Sequence, residues 1–518
     1  MGIPSYFSFI IKNHPGILRK YNGTTVNRLY LDSNSILYDA IACIDFAQES
    51  TFPKTTRVIR WVIQKIQEYV SIVQPTEFTF IAFDGVAPVA KMKQQRDRRY
   101  KSWYQNKMYR DITGRPREDA WNTSSFTPGT PFMEELNQTM KSYVSDNKGL
   151  YYSGSDEIGE GEHKIFQHIR DDPIKENIVI YGLDADLIML SITHLPVCDN
   201  IRLFRETPHF IQNVDSTLEP NQHYLMDIPE LAKAITLDMN NGMDMASDNR
   251  IYDYILICFM LGNDFLPHFP AINIRTGGIN KLLNAYKQTI GSSNSVLTDG
   301  TQIFGRPFRL FISYLANLEE TFLKEETRTR DRRSKVITPD DTPEAKWKNF
   351  EMLPTYNRET ERYINPYQNH WQTRYYKALF DNRQDERFRM NLCDHYLEGL
   401  EWCLKYYTTG CPDWRWSYKY NYPPLLHDLN RHVSTTKRTF DATNMAVHPY
   451  VQLCYVLPKQ SLHLLPPSVC SMVNTRFGHL YSDECDFMWA YCKYFWESHV
   501  ELPDIDITVL ETAVHEVI

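Results

Sequence analysis

With 518 residues the chain has room for two to four domains and a large core. Its 42% hydrophobic and 23% charged residues are the proportions of a globular protein and argue against disorder or a fibre. The net charge of −8 does not exclude an anionic partner, because residues 91–117, KMKQQRDRRYKSWYQNKMYRDITGRPR, form a strongly basic block.

The chain opens MGIPSYFSFIIKNHPG, without a basic n-region or a cleavage site, so no signal peptide is expected. Tyr6 stands where a myristoylation signal needs Ser or Thr. The longest apolar runs, such as YILICFMLG at 254–262, are too short to span a bilayer, and no membrane partner is expected. The ten cysteines are scattered singly with no C-x-x-C pair, which reads as reduced, mostly buried thiols. A soluble, cytoplasmic protein is therefore expected.

In chain order, a strand is predicted at 28–32, a helix near 55–73, strands at 78–83 and 178–182, and a helix near 251–261. Strands alternating with helices predict an α/β fold around a parallel sheet over residues 1–290. Residues 323–345, LKEETRTRDRRSKVITPDDTPEA, are charged and poor in apolar side chains; they read as an exposed loop within a connecting segment, 291–345. Beyond 346 the chain is rich in aromatics and reads as mainly helical with long loops, a second region over 346–518.

Seven acids fall in short motifs, several of them at the ends of predicted strands. They are Asp32 in LYLDSNS, Asp84 in FTFIAFDG, Glu160 and Glu162 in GEGEH, Asp184 and Asp186 in YGLDADLIML, and Asp264 in LGNDFLPH. Acids at strand ends converge on the carboxyl edge of a parallel sheet. So many negative charges in one crevice repel unless hard cations share them, which points to Mg²⁺ or Mn²⁺ on oxygen ligands. Two such ions serve phosphodiester hydrolysis by activating water and stabilising the leaving oxygen. Residues i and i+2 do not share a helix face, so Glu160 is expected in the turn before a helix. Gly262 would let the helix before Asp264 terminate beside the site. A dehalogenase-like phosphatase also uses D-x-D after a strand, but at its first strand, where this chain has only Asp32.

Lys91, Gln95, Arg98 and Arg99 recur at helical spacing after Asp84, with Pro88 suited to the first turn. One helix face would then offer a fork of donors to a terminal phosphate. His163 and His268 read as satisfied buried histidines or as supports to the acids.

GVAPVAKMKQQRDRR, SGSDEIGEGEHKIFQHIR, YGLDADLIMLSI and CFMLGNDFLPH closely resemble blocks of the XRN-type 5′→3′ exoribonucleases. So do MGIP, FTPGTPFM, WRWSYKYNYPP, LPKQSLHLLPP and YFWESHVELPDID. The resemblance implies a PIN/flap-nuclease-like α/β core wrapped by a mainly helical second region that encloses the active site. It implies Mg²⁺-dependent degradation of 5′-monophosphorylated single-stranded RNA to nucleoside 5′-monophosphates. By residue match, the seven acids take the metal positions, and Lys91, Gln95, Arg98 and Arg99 take the 5′-phosphate pocket. Tyr38 stands where the family has a base-stacking histidine, and Trp416, with Trp414 close by, matches the opposing tryptophan. The resemblance further leads us to expect a compact, monomeric member without the long C-terminal extension, with decapping factors among its partners. The alternatives are a structure-specific flap-type DNA nuclease, which shares the acidic core, and an inactive RNA-binding scaffold, which would have lost acids.

Overall fold

The computed structural model describes residues 3, 5–116, 121–207, 211–213, 215–243, 249–336, 339–383, 385–433 and 437–518. Short runs rich in β-branched and aromatic residues become the strands β1 (Leu18–Lys20), β2 (Arg28–Asp32), β3 (Phe78–Ala82), β4 (Leu150–Ser153), β5 (Ile178–Tyr181), β6 (Ile201–Glu206) and β7 (His223–Asp227). They pair into one seven-stranded sheet in the order β1-β7-β6-β5-β2-β3-β4. From β6 to β4 every pairing is parallel; β7 and β1 close one edge antiparallel. The fold is thus mixed α/β, and the predicted strands and helices over 28–82, 178–181 and 250–259 fall where their patterns place them.

β2 and β5 are buried along their whole length because both faces of the sheet are covered. Tyr30, Ile178, Ile180 and Leu203 enter a core that continues through the second region to Leu397 and Trp402. Leu29, Leu31, Val179 and Tyr181 enter a second core with the helices Asn34–Cys43 and Lys54–Val73. Each such side chain stabilises the fold by about 1.5–3 kcal/mol. A third cluster joins Val86 and Met92 to Val451, Leu457 and Leu510, so C-terminal helices clasp the start of the Val89–Thr113 helix. The chain runs from β2 outward to β3 and β4, then returns to β5 on the other side of β2. This reversal puts a crevice at the carboxyl ends of β2 and β5.

The loop expected over 323–345 is mostly helix. Gly305–Ser334 is one helix, and Phe308, Phe311, Ile312, Leu315, Glu319, Leu323, Glu326 and Arg330 are buried along it at spacings of one to four. The low apolar content misled because two of those buried positions near its end are charged. Arg330 lies in the interior, held bidentately by Glu361 at 2.7 and 2.9 Å. Another helix starts at Pro343, and residues 337–338 lie outside the described residues. Beyond it the chain is mainly helical, with Glu386–Thr408 as its longest element. All ten cysteines are free thiols, and among the described residues no helix is long and apolar enough to cross a membrane.

Candidate active site

Each acid reaches the crevice by a local structural device. Asp32 is the last residue of β2, and Asp84 lies two residues beyond β3. Glu160 is the extended residue that caps the Gly161–Asp171 helix, and Glu162 sits in its first turn. Asp184 lies in the loop after β5, and Asp186 begins the Asp186–Thr193 helix. Asp264 follows the Arg250–Phe259 helix through Gly262, whose φ of 84° reverses the chain.

Gly161 is required between the two glutamates. A Cβ there would meet Asp32 Oδ1 at 3.0 Å, and its N–H donates to Asp84 Oδ1 at 2.7 Å. Gly85 is tighter still, since a Cβ would lie 1.6 Å from the Glu157 carbonyl oxygen. These contacts press the loops after β3 and β4 together and bring Glu160 and Glu162 to the strand-end aspartates.

The electrostatics are those of an overcrowded anionic site. Burial, with Asp84 and Asp184 nearby, pushes the Asp32 carboxyl well above its usual range. Burial and Asp186 do the same to Glu162, and burial with Asp264 nearby pushes Asp186 up to about 6. Lys91 is the resident counter-ion, its ammonium 2.5 Å from Glu160 and 2.8 Å from Asp264. Burial alone would lower the lysine, but Asp264, Glu160, Glu162 and Asp186 hold it well above the ordinary value. Asp264 responds in kind: burial would raise its carboxyl, yet Lys91 holds it below the usual range.

One lysine does not satisfy the cluster. Glu162 Oε2 and Asp186 Oδ1 are buried with no hydrogen-bond partner among the described residues. Hard oxygen donors, buried, mutually repelling and partly unpaired, fit divalent cations. In the present side-chain arrangement, no three His, Cys, Asp or Glu side chains among the described residues close into a ready-made cage. Lys91 lies between two of the acids instead.

Three supporting residues were not singled out by the motif reading. Asn34 clamps Asp84 from both sides: its side-chain N–H₂ donates to Asp84 Oδ2, and its Oδ1 accepts the Asp84 N–H at 3.0 Å. Its signal was present, two residues after Asp32 in DSNS. Lys164 is buried and donates to the carbonyls of Phe83 and Gly154 at 2.9 and 2.6 Å, tying the Asp84 loop to the Glu160 loop. Burial lowers its pKa to about 8. Tyr406 donates to Glu160 Oε2 at 2.7 Å, and nothing in its aromatic surroundings marked it in sequence. His163 stacks on Tyr406 at 3.7 Å, whereas His268 is not satisfied as expected, since its Nε2 lacks a hydrogen-bond partner among the described residues.

The expected phosphate residues lie on one long helix, Val89–Thr113, with Pro88 just before it. Val89 N–H donates to the Trp414 carbonyl at 2.9 Å, so the second region holds the start of this helix. The four side chains diverge in their partners. Lys91 turns to the acids, Gln95 accepts from Gln452 at 3.2 Å, and Arg99 donates to Thr127 Oγ1 at 2.6 Å. Arg98 faces a neighbouring cleft. Burial and Arg98 pull the Arg99 guanidinium down to about 9, still a cation at neutral pH.

Tyr38 is 42% exposed and meets Phe126 edge-on at 5.4 Å, leaving ring surface in solvent. Trp416 requires a correction. It is only 8% exposed, stacks on Trp402 at 5.1 Å and donates to Glu398 at 2.9 Å. A ring held this way is a core aromatic and not an open platform for a base. Trp414 is half-buried, and its backbone carbonyl meets the start of the Val89–Thr113 helix.

Comparison with known proteins gives matches along most of the chain. The family model described as XRN 5'-3' exonuclease N-terminus matches residues 1–207. The one described as Xrn1 helical domain matches 244–360 and 346–518. The chain is 24% identical to 5'-3' exoribonuclease 2 of Gallus gallus, aligned over 100% of this chain and 70% of that protein. It is 26% identical to 5'-3' exoribonuclease 1 of Saccharomyces cerevisiae, over 90% of this chain and 40% of that one. Among solved structures, the catalytic core of Rad2 in complex with DNA substrate covers 67% of this chain and 85% of its own, with 14% identity and a TM-score of 0.33.

Proposed function

This chain belongs to the XRN 5'-3' exonuclease family and is a 5′→3′ exoribonuclease, and we propose that it hydrolyses 5′-monophosphorylated single-stranded RNA stepwise to nucleoside 5′-monophosphates with two Mg²⁺ ions. Mn²⁺ is the natural substitute. The observation that carries this reading is the unbalanced crevice, in which seven acids outnumber Lys91 and Lys164 and two buried carboxylate oxygens have no partner among the described residues.

Asp32, Asp84, Glu160, Glu162, Asp184, Asp186 and Asp264 are the residues that would hold the ions. Bound there, divalent ions supply an activated water and stabilisation of the leaving oxygen. The chain's own residues do the positioning. Asn34 and the Gly161 N–H fix both oxygens of Asp84, and Tyr406 fixes Glu160. Lys91 offsets the charge of the crevice when substrate is absent, and with Gln95, Arg98 and Arg99 it offers donors to the 5′-phosphate. Thr127 and Gln452 hold Arg99 and Gln95 in place, and a pocket sized for one phosphate would exclude a cap or triphosphate by bulk. The exposed face of Tyr38 suits stacking of a leading base.

The test uses one 3′-labelled RNA bearing a 5′-monophosphate, hydroxyl, triphosphate or cap, with Mg²⁺ and with chelator. Loss of the monophosphate RNA alone, and only with metal, is expected. Equal decay of all four ends would remove the phosphate pocket, and binding without decay would make the chain a scaffold.

A further inference from the structure

A cleft of about 1050 Å³ lies against the acid crevice, and the stepwise hydrolysis just described leaves it without a task. It shares Asp184 and Asp264 with the acids and Arg98 with the phosphate donors. Tyr38, Gln95, Arg99 and Thr127 do not line it. Its wall on the Val89–Thr113 helix is Ala90, Lys93, Gln94, Asp97, Arg98, Lys101, Ser102 and Gln105, a stripe that adjoins the one carrying Lys91, Gln95 and Arg99 and meets it at Arg98. The cleft therefore opens from the crevice beside Lys91, Gln95 and Arg99, none of which lines it. Exposed Ser102 and Asn221 mark its mouth.

Its chemistry is that of a nucleotide site. Arg205 is 4% exposed and lies over the Phe7 ring at 3.8 Å. It donates to the Leu183 carbonyl at 2.7 Å, while its Nε and Nη1 have no partner among the described residues. His268 Nε2, also in the wall, is likewise without one. Phe265, Tyr418, Tyr420 and Trp496 supply apolar ring surface. The volume exceeds the roughly 300–1,000 Å³ of sites for drug-sized ligands, so a mononucleotide fits with room to move.

A processive exonuclease must discharge one mononucleotide per cycle while the remaining RNA still fills the entrance. The product then needs its own way out. We infer that this cleft receives the released nucleoside 5′-monophosphate and conducts it to solvent, its phosphate passing Arg98 and Arg205 and its base sliding along the aromatic wall. The inference rests on the function proposed above. Among the described lining residues, five Lys and Arg face five Asp and Glu. Such balance gives attraction enough to admit an anion and too little to trap it, as conduction requires.

The test compares the first cleavage, measured with excess enzyme, against steady-state turnover on 5′-monophosphorylated RNA. Ser102 is exposed at the mouth and outside the crevice, so S102W should leave the first cleavage at the wild-type rate and slow turnover about tenfold, with S102A as control. AMP should inhibit wild type with a component that RNA does not compete away, and R205A should weaken that component about tenfold. Unchanged turnover in S102W, an equal fall of both rates, or AMP inhibition purely competitive with RNA would overturn the inference. A wild-type protein that degrades no RNA would instead overturn the proposed function beneath it.

Discussion

Around Glu361 every charge is matched. Its two oxygens accept from Arg330 at 2.7 and 2.9 Å, from Arg358 at 2.6 Å and from the Tyr491 N–H at 2.8 Å. Arg330 donates further to the Cys492 carbonyl at 2.6 Å, and Arg358 pairs with Asp331 at 2.7 Å. The acid crevice is built from the same residue types with the opposite outcome: seven carboxylates outnumber Lys91 and Lys164, and among the described residues Glu162 Oε2 and Asp186 Oδ1 are left without a partner. Glu361, Arg330 and Arg358 are buried, as are Asp32, Glu160, Glu162 and Asp186, while Asp184 reaches the surface, so burial alone does not separate the two clusters. Pairing does: the saturated cluster holds the second region together, and the other is left with an excess of negative charge, on which the proposed cation binding rests.

The difference is sharpest under substitution. D186N in the crevice should cost activity roughly a thousandfold through loss of an ion ligand. Metal-free D186N should nonetheless melt about 2 °C above wild type, since a buried repulsion is removed. Calorimetry beside the cleavage assay checks both, and a lower melting temperature would show that Asp186 is a structural acid. At the other cluster, E361Q should destabilise by about 3–5 kcal/mol, because two arginines lose their buried counter-charge. Denaturant melts measure that loss, while activity per folded molecule should hold.

Cations should act on one cluster only. Mg²⁺ at 100 times its dissociation constant should stabilise wild type by about 2.7 kcal/mol and chelator should reverse it. The same addition to D186N should give a smaller shift, and E361Q should respond like wild type. An equal response in D186N would break the assignment of the crevice.

Two smaller effects refine the picture. Y38A should raise KM for short RNA by an amount worth about 1–3 kcal/mol without altering stability, whereas W416A should lose stability first, as the burial of Trp416 requires. Glu319 is a buried acid of the second region, accepting from the Leu426 and His427 N–H groups at 2.6 and 3.0 Å. Burial, against those two donors, pushes its carboxyl up to about 8. The folded protein therefore holds this proton more tightly than the unfolded chain. Its contribution is full below the unfolded pKa near 4.5 and is lost as pH rises through about 8. E319Q should flatten that alkaline decline, melting about 2 °C above wild type at pH 9. A decline of unchanged slope would exclude Glu319 as its source.

Much of the site was legible because strand-end acids advertise themselves. Asp32 and Asp84 end or closely follow apolar runs that only a buried strand explains, and GEGEH forced Glu160 out of the helix by spacing alone. The basic helix after Asp84 was legible for the same reason, its period being local. The second region resisted. Arg330 looked like solvent-facing charge because Glu361 is far along the chain and Cys492 farther still, and no window contains such a pairing. Trp414 and Trp416 differ by two residues, and only the packing of Trp402 against one of them tells which is core.

By itself the amino-acid sequence determined the parallel α/β core, the chain positions of the acids and the basic helix after Asp84, since each depends on periodicity or on the end of an apolar run. Only the tertiary structure decided which charges are neutralised. That choice sets the Lys91 bridge, the Asn34 and Tyr406 supports, the buried arginines about Glu361 and the cleft beside Asp264. The physical reason is that charge pairing acts through space over a few ångströms, between residues whose separation along the chain carries no trace of it.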